Sequence, residues 1–292
     1  MVSVILEGID SMDVQQVGDR FQEDLSLAEL REKARAVRRH IVKMLGACQS
    51  GHPGGSFSCV EILVALYFAI LRIKPDTPRW EERDRFVLSK GHAAPALYAV
   101  LAEREYFPVS TLMTLRQLDS ILQGHPSMKA TPGVDMTTGS LGQGISAAVG
   151  MALAGKLLRK SFRVYALLGD GEFQSGQVWE AVMAAAHYRL DNLTLIVDYN
   201  KLQIDGPVKE VMNIEPLGDK LIAFNWAVST TDGHDFDALT SVFREPIVPA
   251  RPKAVIALTV KGKGCSFMEN RVEYHGAVLS EDMVASALGE LT

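Results

Sequence analysis

Cysteine is scarce: Cys48, Cys59 and Cys265 are the only three in 292 residues. They form no CxxC pair and no disulfide framework, which points to a reducing cytoplasm. No apolar run reaches the roughly 20 residues that a bilayer span needs. The N-terminus, MVSVILEGIDSMDVQQVGDRF, lacks the basic start and apolar core of a signal peptide. No Lys/Arg-rich block occurs and the net charge is −5, so neither nucleic acid nor an anionic membrane is the expected partner. Two nucleotide signatures are missing as well. A G-x-G-x-x-G starting at Gly169 would need glycine where Gln174 stands, and "GSLGQG" (139–144) has its glycines in the wrong order. The "GKG" at 262–264 belongs to no Walker loop.

What is present is ordinary soluble-protein composition, 47% apolar and 22% charged. The length allows one large α/β domain or two small ones, with a sizeable core either way. Residues 1–25 read as an acidic, loosely ordered extension, and 26–292 as the folded domain. Ser26 and Glu29 make a capping box ahead of apolar residues at helical spacing (Leu27, Leu30, Ala34, Val37, Ile41, Met44, Leu45), so a helix should run to about Ser50-Gly51. A second helix is predicted over about 59–70, a strand over 86–89 and a helix from about Ala93. The middle then alternates: helix 142–158, strand 163–168, helix 176–188, strand 193–198. Further strands are predicted at 226–230 and 254–260, with a helix near 236–243 between them. Continuous apolar strands alternating with helices predict an α/β fold, a mostly parallel sheet covered by helices on both faces. Ligands in such folds sit beyond the carboxyl ends of the strands. The loops at Gly91-His92, Gly169-Asp170-Gly171, Asn200-Lys201-Leu202, Asp232-Gly233-His234 and 261–264 fall there.

Within "LLGDGEFQSGQVWEAVMAAAHYRLDNLTLIVDYNKLQIDG" (167–206), Asp170 lies between two glycines at the end of an apolar run. A second apolar run ends in Asn200. A carboxylate beside a phosphate is repulsive unless a cation lies between them. Mg²⁺ takes hard oxygen ligands, with one or two carboxylates and the rest from phosphate and water. Asp170, the amide oxygen of Asn200 and the backbone carbonyl of Leu202 could supply the protein's share. Gly169 and Gly171 would allow an unusual turn and a close main-chain approach to a diphosphate.

G-D-G followed about thirty residues later by Asn resembles the thiamine diphosphate signature. Four of the seven histidines sit in glycine-containing loops: "SGHPGG" (His52), "SKGHAAPALYA" (His92), "QGHPS" (His125) and "YHGAV" (His275). Together with "GVDMTTGSLGQGISAAVGMALA", these segments resemble the N-terminal half of transketolase, in the same order, over roughly residues 27–280. The resemblance implies thiamine diphosphate and Mg²⁺ as cofactors, with Ca²⁺ or Mn²⁺ able to replace the metal. It implies that His92 and His275 contact the cofactor diphosphate, with Asn200 beside the metal, and that His275 also lies near the reacting carbons with His52. His125 is implied to contact the donor's C1 hydroxyl and carbonyl region. Gly139 and Leu141 match main-chain contacts to the aminopyrimidine, Ile204 the apolar prop that bends the cofactor, and Gly171 the N–H that meets the diphosphate. Asp170, Asn200 and Leu202 match the metal shell. Ketol transfer needs an electron sink, which the cofactor provides, and proton shuttles near neutral pH, which imidazole suits. Lys261 and Lys263 could add positive charge near the diphosphate or be solvated surface lysines, and are left outside the expected site.

The glutamate that activates the cofactor belongs, in full-length transketolases, to a second α/β domain. The sequence has no counterpart, so it is expected to be the diphosphate-binding subunit of a split enzyme, in an α2β2 assembly with a pyrimidine-binding subunit that supplies this glutamate. Sugar phosphates are the expected substrates. Glu180 matches a family acid of an interface carboxylate network, but Ser175 stands where many relatives have its second acid. Two other thiamine enzymes remain as alternatives, the α chain of a 2-oxo acid dehydrogenase and a deoxyxylulose phosphate synthase fragment. "SGHPGG" and "LSKGHAAPALYA" argue against the first. A non-catalytic cofactor-holding domain is the third alternative.

Overall fold

The computed structural model describes residues 25–292. The N-terminal extension read over residues 1–25 falls outside them, save for Leu25. The chain enters through α1 (Leu27–Cys48), opened by the expected capping box: the Glu29 N–H donates to Ser26 Oγ at 3.3 Å and the Ser26 N–H to the Glu29 carboxylate at 2.8 Å. This satisfies two amide donors that a helix start otherwise leaves unpaired. The second predicted helix is longer and broken. It begins at the HPGG turn as α2 (Pro53–Ser58), restarts as α3 (Val60–Ala65) and ends in a wider π turn, Leu66–Ile70. Proline in its first turn lacks only an N–H that would be unpaired anyway.

Then follow β1 (Arg85–Leu88), α4 (Ala94–Glu103), α5 (Gln143–Leu157), β2 (Val164–Gly169), α6 (Gly176–His187) and β3 (Leu193–Tyr199). A small hairpin, β4 (Leu202–Gln203) and β5 (Gly206–Pro207), leads into α7 (Val208–Val211) and α8 (Leu217–Ala223). The chain closes with β6 (Ala227–Asp232), α9 (Phe236–Arg244), β7 (Lys253–Leu258) and α10 (Glu281–Glu290). Every predicted strand is present within two residues of its expected bounds. The hairpin, α7, α8 and α10 were not predicted.

The five long strands form one sheet in the order β1-β2-β3-β7-β6, with every ladder parallel. The helices cover both faces and bury two apolar clusters. One gathers α1, α3 and α4 with Phe86, Tyr165 and Leu167. The other packs α5 and α6 onto Val164, Ala166, Leu168 and Trp226. Alternate residues of β2 thus point to opposite clusters, as the two-residue strand period requires. Trp226 is fully buried, and its indole N–H reaches the Val182 carbonyl at 3.0 Å. Burying a side chain of that class contributes roughly 2–3 kcal/mol. Small residues let α5 sit directly on the sheet: a Cβ on Gly144 would lie 2.7 Å from the Cα of Ser89. Among the described residues no helix is long and apolar enough to cross a membrane.

Candidate active site

The parallel ladders put the ends of β1, β2, β3, β6 and β7 along one rim. His92 follows β1, Asp170 follows β2, Asn200 follows β3, and the 261–264 turn follows β7. Three imidazoles from distant parts of the chain meet there. The ring of His92 lies 5.3 Å from that of His52 and 5.2 Å from that of His275, and His52 lies 5.6 Å from His275. The HPGG turn fits this cluster closely: a Cβ on Gly55 would stand 3.1 Å from His92 Nε2, and one on Gly54 2.7 Å from the Tyr274 carbonyl.

Burial, reinforced by Arg116, holds His52 down at about 4. Burial, then Lys261, holds His275 at about 3, and burial with Lys90 holds His92 well below the ordinary imidazole value. All three rings are neutral at pH 7. Lys261 Nζ lies 3.0 Å from His275 Nδ1 and donates to the Leu202 carbonyl at 3.1 Å. With an ammonium on Nδ1, the His275 proton must sit on Nε2. The buried Nδ1 of His52 has no hydrogen-bond partner among the described residues. Such an atom marks a place for a polar ligand group.

His125 stands apart from the three. It is exposed and neighbours Gly139: a Cβ there would approach its ring at 3.1 Å. Gly139 has φ +143°, which disfavours any side chain. A Cβ on Gly91 would lie 2.8 Å from the Gly139 nitrogen, so the His92 loop and the Gly139–Gly142 loop touch backbone to backbone. Leu141 and Ile204, the expected contacts to the pyrimidine and the cofactor bend, are exposed apolar residues at 46% and 62%, Ile204 at the tip of the β4–β5 hairpin. Glu180 is exposed on α6, while Ser175 packs against Gly142.

Asp170 is 2% exposed. Its carboxylate accepts the Gly171 N–H at 2.8 Å and the Lys201 N–H, and burial together with Asp198 pushes its pKa up to about 7. Asn200 Oδ1 accepts from the Leu202 N–H at 3.1 Å. No cluster of three or more His, Cys, Asp or Glu suited to a metal is found among the described residues. The set Asp170, Asn200 and Leu202 contains only one such side chain. Its other donors are amide and backbone oxygens, a hard set that suits Mg²⁺. A buried carboxylate at the edge of ionisation and an orphaned imidazole nitrogen on the same rim fit a cation with its anionic ligand.

One expectation is corrected. Gly169 is extended (φ −83°), and neither it nor Gly171 lies in the left-handed region. Asp170–Gln174 forms a 3₁₀ turn that any residue could adopt. A Cβ on Gly171 would press on Gln203 Cβ at 3.2 Å, whereas Gly169 faces open space. The Gly171 N–H points to Asp170's own carboxylate.

Several residues of the site were missed. Lys261 is buried at 1% exposure, and burial, then Lys90, lowers it to about 8. Lys90 pairs with Asp198 in the interior; burial opposes its charge, but Asp198 holds its pKa above the lysine norm. Asp198 also receives the Ser58 and Thr259 hydroxyls and faces the Asn200 amide NH₂ at 3.4 Å, which orients the Asn200 oxygen away from it. His234 joins the Val260 N–H (2.8 Å) to Glu61, itself gripped by Arg38 through two bonds. Burial alone would raise Glu61, yet Arg38 and His234 hold it at about 2. The available signal was a charged residue inside an all-apolar strand, as Asp198 is in LTLIVDY, and lysine at the junction of strand and glycine turn.

Comparison with known proteins defines the class. Residues 30–291 match the family model described as transketolase, thiamine diphosphate binding domain. The chain belongs to that family. It is 46% identical over 264 residues to a 6-deoxy-6-sulfo-D-fructose transketolase subunit of a Clostridium species, covering 90% of this chain and 96% of the relative. It is 43% identical over 269 residues to one of the subunits of an apulose-4-phosphate transketolase from Actinobacillus succinogenes, covering 92% and 98%. Human transketolase is 41% identical over 266 residues, 91% of this chain but 42% of the human protein. The transketolase structure from Leishmania mexicana superposes with a TM-score of 0.86 at 30% identity, covering 92% of this chain and 42% of that one. The chain thus spans less than half the length of full-length transketolases, and nearly all of the relatives named as subunits.

Proposed function

We propose that the chain is the diphosphate-binding subunit of a two-subunit transketolase. It moves a two-carbon ketol unit from a ketose phosphate, or a ketose with another terminal anion, to an aldose phosphate. The observation that carries this reading is the meeting of His52, His92 and His275, all neutral, on the rim that holds the Asp170 turn. The subunit relatives support it, since the two described above act on sugars named with an anionic group.

Asp170, Asn200 and the Leu202 carbonyl would hold Mg²⁺, and Lys261 and Lys90 bring positive charge to the same rim. Thiamine diphosphate, when bound, supplies the electron sink for breaking a C–C bond beside a carbonyl. The protein's work is to bind, orient and move protons. Neutral imidazoles can each donate one hydrogen bond and accept another without a standing charge to repel the metal. His275 presents its Nε2–H as a donor because Lys261 fixes the tautomer. His125, outside the buried cluster, is placed to hold the donor sugar. A pyrimidine-binding partner, in an α2β2 cytoplasmic complex, supplies the activating glutamate.

The test is a ketol-transfer assay with thiamine diphosphate and Mg²⁺, with and without the candidate partner. Turnover should appear only with both subunits. Robust turnover by the pure chain would refute the split arrangement, and no cofactor binding by either preparation would refute the thiamine reading.

A further inference from the structure

Glu172 belongs to none of the roles above. It is 3% exposed, in the turn after Asp170. Three donors from three separate segments converge on its carboxylate: the Ser89 hydroxyl after β1, the Gly142 N–H at 2.8 Å in the loop before α5, and the Gly169 N–H at 3.3 Å at the end of β2. The first two share Oε1, and the third uses Oε2. All three partners are donors, an arrangement that only a carboxylate satisfies fully, because an amide would turn an NH₂ toward one of them.

The segments it joins are two ends of one binding site. Gly169 leads directly into the Asp170–Gly171 turn. Gly142 closes the loop that begins at Gly139 and Leu141, and starts α5 with φ +83°. Ser89 lies between them, and α5 is pressed against it through Gly144. Among the described residues, no other buried side chain ties the Gly139–Gly142 loop to the Asp170 turn by a hydrogen bond. We propose that Glu172 is a positioning residue that sets the distance between the diphosphate turn and the aminopyrimidine loop. It gauges the length of a ligand that must touch both. This rests on the thiamine diphosphate reading.

Glu172→Gln keeps size and shape while placing a donor against a donor. The full-length chain is compared with wild type in two measurements: hydrogen exchange at the Gly142 amide, and calorimetric affinity for thiamine diphosphate and for inorganic pyrophosphate, each with Mg²⁺. Pyrophosphate engages the Asp170 turn alone. A lost charged hydrogen bond that leaves a buried donor unmatched should weaken thiamine diphosphate about ten-fold or more, and pyrophosphate by less than about three-fold. The Gly142 amide should exchange faster by a similar factor. A variant that merely loosens the fold would weaken both ligands alike. Equal losses, or unchanged exchange at Gly142, would overturn the gauge while leaving the function standing. Wild-type chain that binds pyrophosphate but not thiamine diphosphate, or neither, would overturn both. If the glutamine variant fails to fold, Glu172→Asp, which keeps the charge but falls short by one methylene, is subject to the same criteria.

Discussion

Two buried carboxylates stand at opposite ends of the same strand pair. Asp84 precedes β1 at the base of the sheet; Asp170 follows β2 at its top. Both are almost inaccessible, at 3% and 2% exposure, and burial pushes both pKa values up. Their partners differ. Asp84 accepts the Arg163 N–H (2.8 Å) and the Arg72 N–H (2.9 Å), and the Arg72 guanidinium lies at 3.4 Å. It locks the start of β1 to the start of β2, and its charge is matched. Asp170 receives two backbone N–H groups, and among the described residues no side-chain cation bonds it. Its buried ionic neighbours are Asp198, of like charge, and Lys90, whose opposite charge offsets burial and Asp198 only in part. A matched buried charge is architecture; an unmatched one is held in reserve for a cation. The aspartate proposed to hold the metal is the unmatched one.

The sharpest way to break this contrast is to neutralise each acid in turn. Asp170→Asn should weaken Mg²⁺-dependent thiamine diphosphate binding by about 100-fold or more, since it removes the only anionic metal ligand in the set. Asp84→Asn should leave that affinity within about three-fold. Titration calorimetry of the two variants decides; equal losses would erase the distinction.

His125 sharpens the contrast within the rim itself. It is exposed, while His52, His92 and His275 form the buried cluster. His125→Ala should lower kcat/KM for the donor sugar by about 10- to 100-fold in the two-subunit enzyme, with cofactor affinity changed far less. Loss of cofactor affinity alone would contradict a donor-binding role.

Legibility in the sequence follows the same line between exposed turns and buried charge. The strands were readable because β2 and β3 are near-continuous apolar runs, and the site loops because they follow such runs or place histidine beside glycine. The GDG turn, Asn200 and the four histidines therefore stood out. Lys90, Lys261, Asp198 and Glu172 did not. A lysine or glutamate in a sequence reads as surface until a three-dimensional partner is known, and these partners are 32 to 108 residues away for Lys90. Gly169 and Gly171 misled in the other direction: a glycine pair suggests a left-handed turn, but only close packing at Gly171 disfavours a side chain. The helix predicted over 59–70 was read as one piece and without its start at Pro53, since apolar spacing cannot distinguish an α turn from the wider turn at 66–70.

The pH dependence of stability tests the unmatched charge directly. The folded pKa of Asp170, about 7, lies above its unfolded value near 3.9, so between these limits the folded chain binds more protons than the unfolded one. Its contribution to stability is full below about pH 4 and is lost as pH rises through 7. Asp170→Asn removes that loss. Without metal, the variant should gain on wild type steadily between about pH 4 and 7 and then level off, with a total gain of at most about 4 kcal/mol. Urea melts across that range measure it. Parallel stability profiles would mean that the Asp170 charge is already compensated.

Asp84→Asn gives the smallest effect. Its amide would turn an NH₂ toward the Arg163 or Arg72 N–H and leave the Arg72 guanidinium without its carboxylate. A buried donor left unmatched costs about 1–3 kcal/mol. The low end applies here, because Arg72 is itself 31% exposed and water can replace part of what is lost. Asp170→Asn meets the same mismatch at the Gly171 or Lys201 N–H, but there the relief of the buried charge offsets it, so the midpoint of urea unfolding at pH 7 should lie higher for Asp170→Asn than for Asp84→Asn. If both fell equally, burial alone, and not the presence or absence of a countercharge, would govern the two ends of the sheet.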